Sequence, residues 1–269
     1  MIVLQAGWVV PVDGPPLRDA GVAVRDGTVQ WVGPAAQAPA GEVRDLGAGV
    51  LLPGLVNAHC HLELSHLAGR LGEATGFVDW VERLVAARGT DSAETVRAAA
   101  ARAIEELEAT GTVAVGDVSN GLSHLDLLAR SSLRARVFFE LIGWDPAAAA
   151  RILEGAQARL RALDPGGGVE VSLAAHAPHS VSAPLLAALA GAGGASALHL
   201  AESPHESRFL DGGDPEWSAF LARRGLGHVP FVAPHLSPVR YVDGLGVLRP
   251  GLVAAHGVQV DAADGALLA

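Results

Sequence analysis

The sequence predicts an α/β fold: a parallel β/α barrel over residues 51–269, preceded by a small β part over residues 1–50. Three observations predict it. From Gly49 onward, near-continuous apolar runs alternate with alanine-rich helical stretches, the pattern of parallel strands covered on both faces. The units are many and in series, which favours a closed barrel over a doubly wound sheet. Neither a G-x-G-x-x-G after the first strand nor a G-x-x-x-x-G-K-[ST] occurs, so dinucleotide-binding and P-loop folds lack their defining glycines.

In the first 50 residues, Met1–Leu4, Gly21–Val24 and Thr28–Val32 are β-branched or alternating runs, and Asp26-Gly27 marks a hairpin between two of them. So few strands do not bury a core alone. Barrel strands are predicted at Val50–His59, Thr112–Val118, Arg136–Ile142, Val169–Ala174, Ala197–Ala201, Pro230–Ala233 and Leu252–His256. Helices are predicted at Phe77–Arg88, Ala93–Thr110, Ser123–Arg130, Pro146–Leu163, Ala183–Ala190 and Asp214–Arg223. Asp261 and Asp264 read as opening a further helix.

Composition excludes several classes. Of 269 residues, 50% are apolar and 18% charged, as expected of a globular chain and not of a disordered one. The formal net charge is −10, which argues against nucleic-acid binding, since phosphate contacts need clustered basic groups. The lone cysteine, Cys60, rules out a disulfide framework and suits a reducing cytoplasm. No apolar run reaches membrane-spanning length, and the N-terminus has no signal-peptide pattern, so a cytoplasmic location without membrane association is expected.

The chemistry concentrates where strands end. In Pro53-Gly54-Leu55-Val56-Asn57-Ala58-His59-Cys60-His61-Leu62-Glu63, His59 and His61 are two apart. On a strand they share a face, while Cys60 points the other way as a packed thiol. His199 ends another strand and Glu202 follows it, a carboxylate placed to move protons for a metal-activated water. His176 ends a strand with His179 in the loop beyond, and His256 ends the last strand. Five histidines at C-terminal strand ends fall on one rim of a barrel, where the active sites of such barrels sit, so one shared metal site explains them better than chance. Asp117 and Glu140 end two further strands, where they line the pocket, hold a histidine, or serve as structural hydrogen-bond partners. His66, His124, His205, His228 and His235 read as solvated or capping residues.

Together these residues resemble the amidohydrolase superfamily, in its cytosine deaminase-like, chlorohydrolase and S-adenosylhomocysteine deaminase branch. The motifs are Pro53 to His61, Ala175-His176-Ala177-Pro178-His179-Ser180-Val181-Ser182, His199-Leu200-Ala201-Glu202-Ser203 and Ala255-His256-Gly257. Within the branch, His61–Ser65, Gly76–Val81 and His199–Pro204 look most like aminodeoxyfutalosine deaminases of the alternative menaquinone pathway.

The resemblance implies a (β/α)8 TIM-type metal-dependent hydrolase barrel beside a small β-sandwich. It implies His59, His61 and His199 as ligands of one divalent metal, zinc or, as the alternative, iron. Glu202 matches the proton-shuttling glutamate, His256 the histidine that orients the attacking water, and His176 a substrate contact. His179, Trp80 and Glu140 are further substrate-binding candidates. The implied activity is deamination of an adenine-like or other amidine-bearing ring in a small-molecule substrate, with a homodimer as a compatible assembly. The alternatives are hydrolysis of another C–N or C–Cl bond, or a non-catalytic fragment or degenerate homologue.

Two departures accompany it. The chain has no lysine, so a carboxylated-lysine bridge between two metals is impossible and one metal is expected. The family's metal-binding aspartate, from the eighth strand, has no counterpart before Ala269, because Asp261 and Asp264 follow His256 too closely. The expectation is therefore a C-terminally truncated barrel with its last strands missing, open-edged, and inactive in isolation.

Overall fold

A computed structural model describes residues 1–269. It divides them into two compact units, Met1–Leu55 and Val56–Ala269. The first unit is one five-stranded sheet built from β1 (Ile2–Val9), β2 (Leu17–Arg25), β3 (Thr28–Pro34), β4 (Glu42–Asp45) and β5 (Val50–Leu51). β2 pairs antiparallel with β1 and β3, while β4 and β5 join β1 in parallel. Asp26 and Gly27 turn the β2–β3 hairpin with φ of +50° and +74°, as a two-residue turn between right-twisted strands requires. β4 and β5 were not legible, because β4 is wholly exposed and β5 has two residues, leaving no alternation to read.

The barrel unit opens with β6 (Leu55–Cys60). The predicted strand Val50–His59 is thus two strands, β5 and β6, divided at Pro53-Gly54, where proline cannot donate to a ladder. Then follow α1 (Phe77–Ala87), α2 (Ala93–Ala109), β7 (Thr112–Ser119), α3 (Leu125–Arg130), β8 (Arg134–Leu141), α4 (Ala149–Arg161), β9 (Val169–Ala175) and α5 (Ala183–Gly191). The chain continues through β10 (Ser196–Leu200), α6 (Pro204–Asp211), α7 (Pro215–Arg223), α8 (Pro238–Gly244), β11 (Leu252–His256) and α9 (Ala262–Leu268). Asp261 and Asp264 form a reciprocal capping box that opens α9.

The sheet order is β6-β7-β8-β9, with β7, β8 and β9 parallel, and β10 pairs in parallel with β11. The His199 N–H donates to the His176 carbonyl at 2.8 Å and the Ser196 hydroxyl to the Leu173 carbonyl at 3.0 Å, joining β9 to β10. The predicted strand at Pro230–Ala233 is absent. Pro230 and Pro234 remove two donors within five residues, and Val232 is 89% exposed, so nothing drives that stretch into a sheet. The barrel strands form an arc in which β6 pairs only with β7 and β11 only with β10.

Alternation along the strands sorts the side chains. Val115, Val137, Phe139, Leu141, Leu198 and Leu200 pack outward in the main core beneath the helices, with Leu185 and Leu186 of α5. Val118, Phe138, Ala174 and Ala197 form a separate inner cluster. Period-two alternation from that cluster carries Glu140, His176 and His199 to the inner face at the strand ends. Gly116 lies on β7 beside β6: a Cβ there would clash with the Ala58 carbonyl oxygen, so only glycine permits this approach.

Candidate functional site

Five histidines meet at the C-terminal strand ends. His61 Nε2 lies 3.1 Å from His199 Nε2, and the His59 ring lies 5.0 Å from His61 and 4.7 Å from His199. His256 stands 5.6 Å from the His59 ring and 5.4 Å from His199, and His176 lies 4.9 Å from His199. The ligating atoms of His59, His199 and His256 fall within 4.8 Å of one another, as do those of Glu140, His176 and His199. His61 reaches the same cluster through His199.

His256 arrives there by a route that alternation does not predict. On β11, Leu252 packs outward and Val253 inward, which would turn His256 outward. Its backbone is instead left-handed, with φ of +77°, uncommon for a side chain of this size, and the ring turns towards His59.

The cluster favours neutral imidazoles. Burial first, then His61 and His256, hold His59 down at about 4. Burial and the neighbouring histidines push His199 to about 2, and burial also lowers His61 and holds His176 at about 4. Neutral imidazole is the metal-binding form. The His199 Nδ1–H donates to the His176 carbonyl at 3.0 Å, which leaves Nε2 with a free lone pair facing His61. The Ser180 hydroxyl donates to the Ala177 carbonyl, so His176 Nδ1–H donates to Ser180 at 2.6 Å and its Nε2 is also left as an acceptor.

These donors fit a metal ion. Two nitrogens about 2.0–2.1 Å from one zinc at a tetrahedral angle stand about 3.3 Å apart. The His61–His199 separation of 3.1 Å is close to that. His59 Nδ1 is buried with no hydrogen-bond partner, a cost that ligation or a bound polar group removes.

A polar chain supports the inner rim. Glu140 is buried beside His199, with Oε1 3.4 Å from His199 Nδ1 and without a hydrogen bond of its own. Burial pushes its carboxyl up to about 7 against the opposing pull of Asn120. Asn120 donates to the Glu140 carbonyl and carboxylate at 2.8 and 3.0 Å and accepts from Arg88 at 2.6 Å. Arg88 also pairs with Glu63, whose carboxylate accepts from Ser119 at 2.6 Å and from the Gly121 and Asn120 amides at 2.8 and 3.1 Å. Sequence reasoning missed Arg88 and Asn120 because they lie in loops or at a helix end. Glu63, two residues past His61, was the available signal.

Glu202 and His256 face each other, with Oε1 to Nε2 at 3.6 Å, and burial raises the Glu202 carboxyl while His256 opposes the shift. Glu202 sits in the loop after β10, where Ala201 adopts φ of +53°.

Other residues fall elsewhere. His179, expected to contact substrate, is only 1% exposed and packs edge-on against Trp217 at 4.5 Å, since the aromatic cluster with Phe77 encloses it. Trp80 is 38% exposed on α1 and stacks on Phe77 rather than on any of the five histidines. His66 and His124 are buried rather than solvated. His66 Nδ1 is paired with the Glu63 carbonyl, and His124 Nε2 lies 2.7 Å from Asp117. Asp117 shares the outward parity of Val115 and accepts from the Leu62 amide at 2.7 Å, a structural partner that does not face the inner rim. Cys60 lies against Asp117, and burial drives its thiol far above the ordinary range, as for a packed thiol.

The arrangement is a histidine cluster able to hold a metal, with an adjacent carboxylate, on the C-terminal rim of a β/α sheet. The chain belongs to the amidohydrolase family, which residues 50–269 match. It is 34% identical over 230 residues to the aminodeoxyfutalosine deaminase of Deinococcus radiodurans, covering 79% of this chain and 53% of that protein. It is 28% identical to a 5-methylthioadenosine/S-adenosylhomocysteine deaminase of Moorella thermoacetica, covering 100% of this chain and 60% of that one. The crystal structure of an atrazine chlorohydrolase from Arthrobacter aurescens, complexed with zinc, shares the fold with a TM-score of 0.74 at 15% identity, over 100% of this chain and 63% of that one. The chain thus spans a little over half the length of the curated relatives it matches.

Proposed function

We propose that the protein is a metal-dependent aminohydrolase that replaces the amino group of an adenine-like ring with oxygen and releases ammonia. The observation that carries this reading is the convergence of His59, His61 and His199 beside the facing pair Glu202 and His256. The names of the deaminating relatives support the substrate class, a purine nucleoside of the aminodeoxyfutalosine or methylthioadenosine type.

His59, His61 and His199 would hold one divalent metal, with zinc favoured by the nitrogen donors and by the zinc-bound neighbour. When bound, such a metal acts as a Lewis acid and brings the pKa of water to about 7. Glu202 takes the proton released as water attacks the amino-bearing carbon. It passes that proton to the ring nitrogen and then assists departure of the amino group as ammonia. A carbon–oxygen bond forms and a carbon–nitrogen bond breaks, with no redox change. His256, 3.6 Å from Glu202, orients the water. The free Nε2 of His176 accepts a hydrogen bond from the substrate, and Glu140 braces His199 from behind. No helix is long and apolar enough to cross a membrane; a cytoplasmic location is part of the proposal.

The test is ammonia release from S-adenosylhomocysteine, 5-methylthioadenosine and aminodeoxyfutalosine by the zinc-loaded full-length protein, with chelated protein as the blank. Metal-dependent release from at least one of them is expected. Release from none of them, with zinc bound, would reject the deaminase reading.

A further inference from the structure

We infer that Glu206 is a positioning residue that fixes the catalytic loop carrying Glu202, an inference that rests on the reading of Glu202 as the proton shuttle. Glu206 lies in the first turn of α6 and is 1% exposed. Its two carboxylate oxygens accept separate backbone donors from the preceding loop: Ala201 N–H to Oε1 at 3.1 Å and Glu202 N–H to Oε2 at 2.9 Å. Both donors lie in the bend that ends β10, where fully buried Ala201 is held at φ of +53°. An L-residue rarely adopts that conformation without compensation, and a carboxyl group accepting from two consecutive amides supplies it.

The same bend is tied from the other side. The Ala201 carbonyl accepts from Val258 N–H at 3.0 Å and Gln259 N–H at 2.8 Å, and the Leu200 carbonyl accepts from Gly257 N–H at 3.0 Å. These donors immediately follow His256. One peptide bend therefore links the loop bearing Glu202 to the loop bearing His256, with Glu206 clamping its amides. A Ser203 N-cap to Glu206 N–H at 3.4 Å starts α6 at the same place. Beyond the clamp, the ionisable side chains that act on Glu206 are His179, at 3.9 Å, and the Glu202 carboxylate, neither of them one of the three proposed metal donors. Its role is to set where the Glu202 carboxylate stands relative to His256.

The experiment compares wild type, Glu206→Gln, Glu206→Ala and, as a control, Glu154→Gln on the exposed face of α4. It reads kcat and KM for ammonia release, zinc content, Tm, and hydrogen exchange of the Ala201 and Glu202 amides. Glutamine keeps the shape but turns an N–H2 towards one donor, so one clamp bond is lost. The expected result in Glu206→Gln is kcat lowered about 10²-fold, as for a misplaced catalytic group, with KM and zinc content little changed and the two amides exchanging faster. Glu154→Gln should match wild type. Unchanged kcat with unchanged exchange at those amides would overturn the assignment. So would parallel loss of zinc, Tm and activity in both Glu206 variants, which marks a general structural role. If wild type releases no ammonia, the function proposed above fails separately. Exchange at the Ala201 and Glu202 amides then decides the clamp, acceleration in Glu206→Gln sustaining it and no change refuting it.

Discussion

His61 and His199 are 138 residues apart in sequence, yet their Nε2 atoms stand 3.1 Å from each other. The spacing requires one imidazole to donate to the other or both to share an electrophile. With both rings biased neutral by burial, the pair fits the shared divalent metal proposed above.

His61→Ala and His199→Ala should each weaken zinc binding by at least about 10–100-fold, the range seen even for supporting groups. Competition of the purified variants against a chromogenic chelator measures this directly. Wild-type zinc affinity in both would remove these two residues from the ligand set.

Gly116→Ala should destabilise the fold and damage the site together. Its Cβ would clash with the Ala58 carbonyl, so β6 must move, and β6 carries His59. A cost of about 1–3 kcal/mol is expected for such overpacking. Denaturant unfolding and zinc titration should both shift. An unchanged unfolding midpoint would show that the two strands part without penalty.

Burial pushes Glu206 up to about 7 from an ordinary 4.5, with the Ala201 and Glu202 amides opposing the shift and the Glu202 carboxylate adding to it. Because the folded value is raised, this group contributes stability that is fully present below 4.5 and lost as pH rises through about 7. Wild-type Tm should therefore fall relative to that of Glu206→Gln between about pH 5 and about pH 8. Two curves that stay parallel across that interval would contradict the shift.

Much of the site was legible because period-two alternation and strand-end placement are local properties. His59, His61, His176 and His199 could be put on one rim from their positions alone, and the structure brings their rings together. His256 reached the rim for a reason not visible locally, a left-handed backbone that reverses its strand parity. The Arg88–Glu63–Asn120–Glu140 chain was illegible because its members come from four separate segments and meet only through tertiary packing. The surroundings of His179 and Asp117 were illegible for a related reason. Sequence places a residue at a strand end but does not show that Trp217 covers one and that parity turns the other outward. The strand expected at Pro230–Ala233 is absent because two prolines outweigh the apolar character of the stretch between them.

The most direct test of the central claim is ammonia release by Glu202→Gln, measured together with its zinc content. Glutamine preserves shape but does not shuttle a proton at neutral pH. The expected result is wild-type zinc content with turnover reduced by about 10²–10⁴-fold, the usual weight of a general acid–base group. Near-normal ammonia release from the zinc-loaded variant would contradict it.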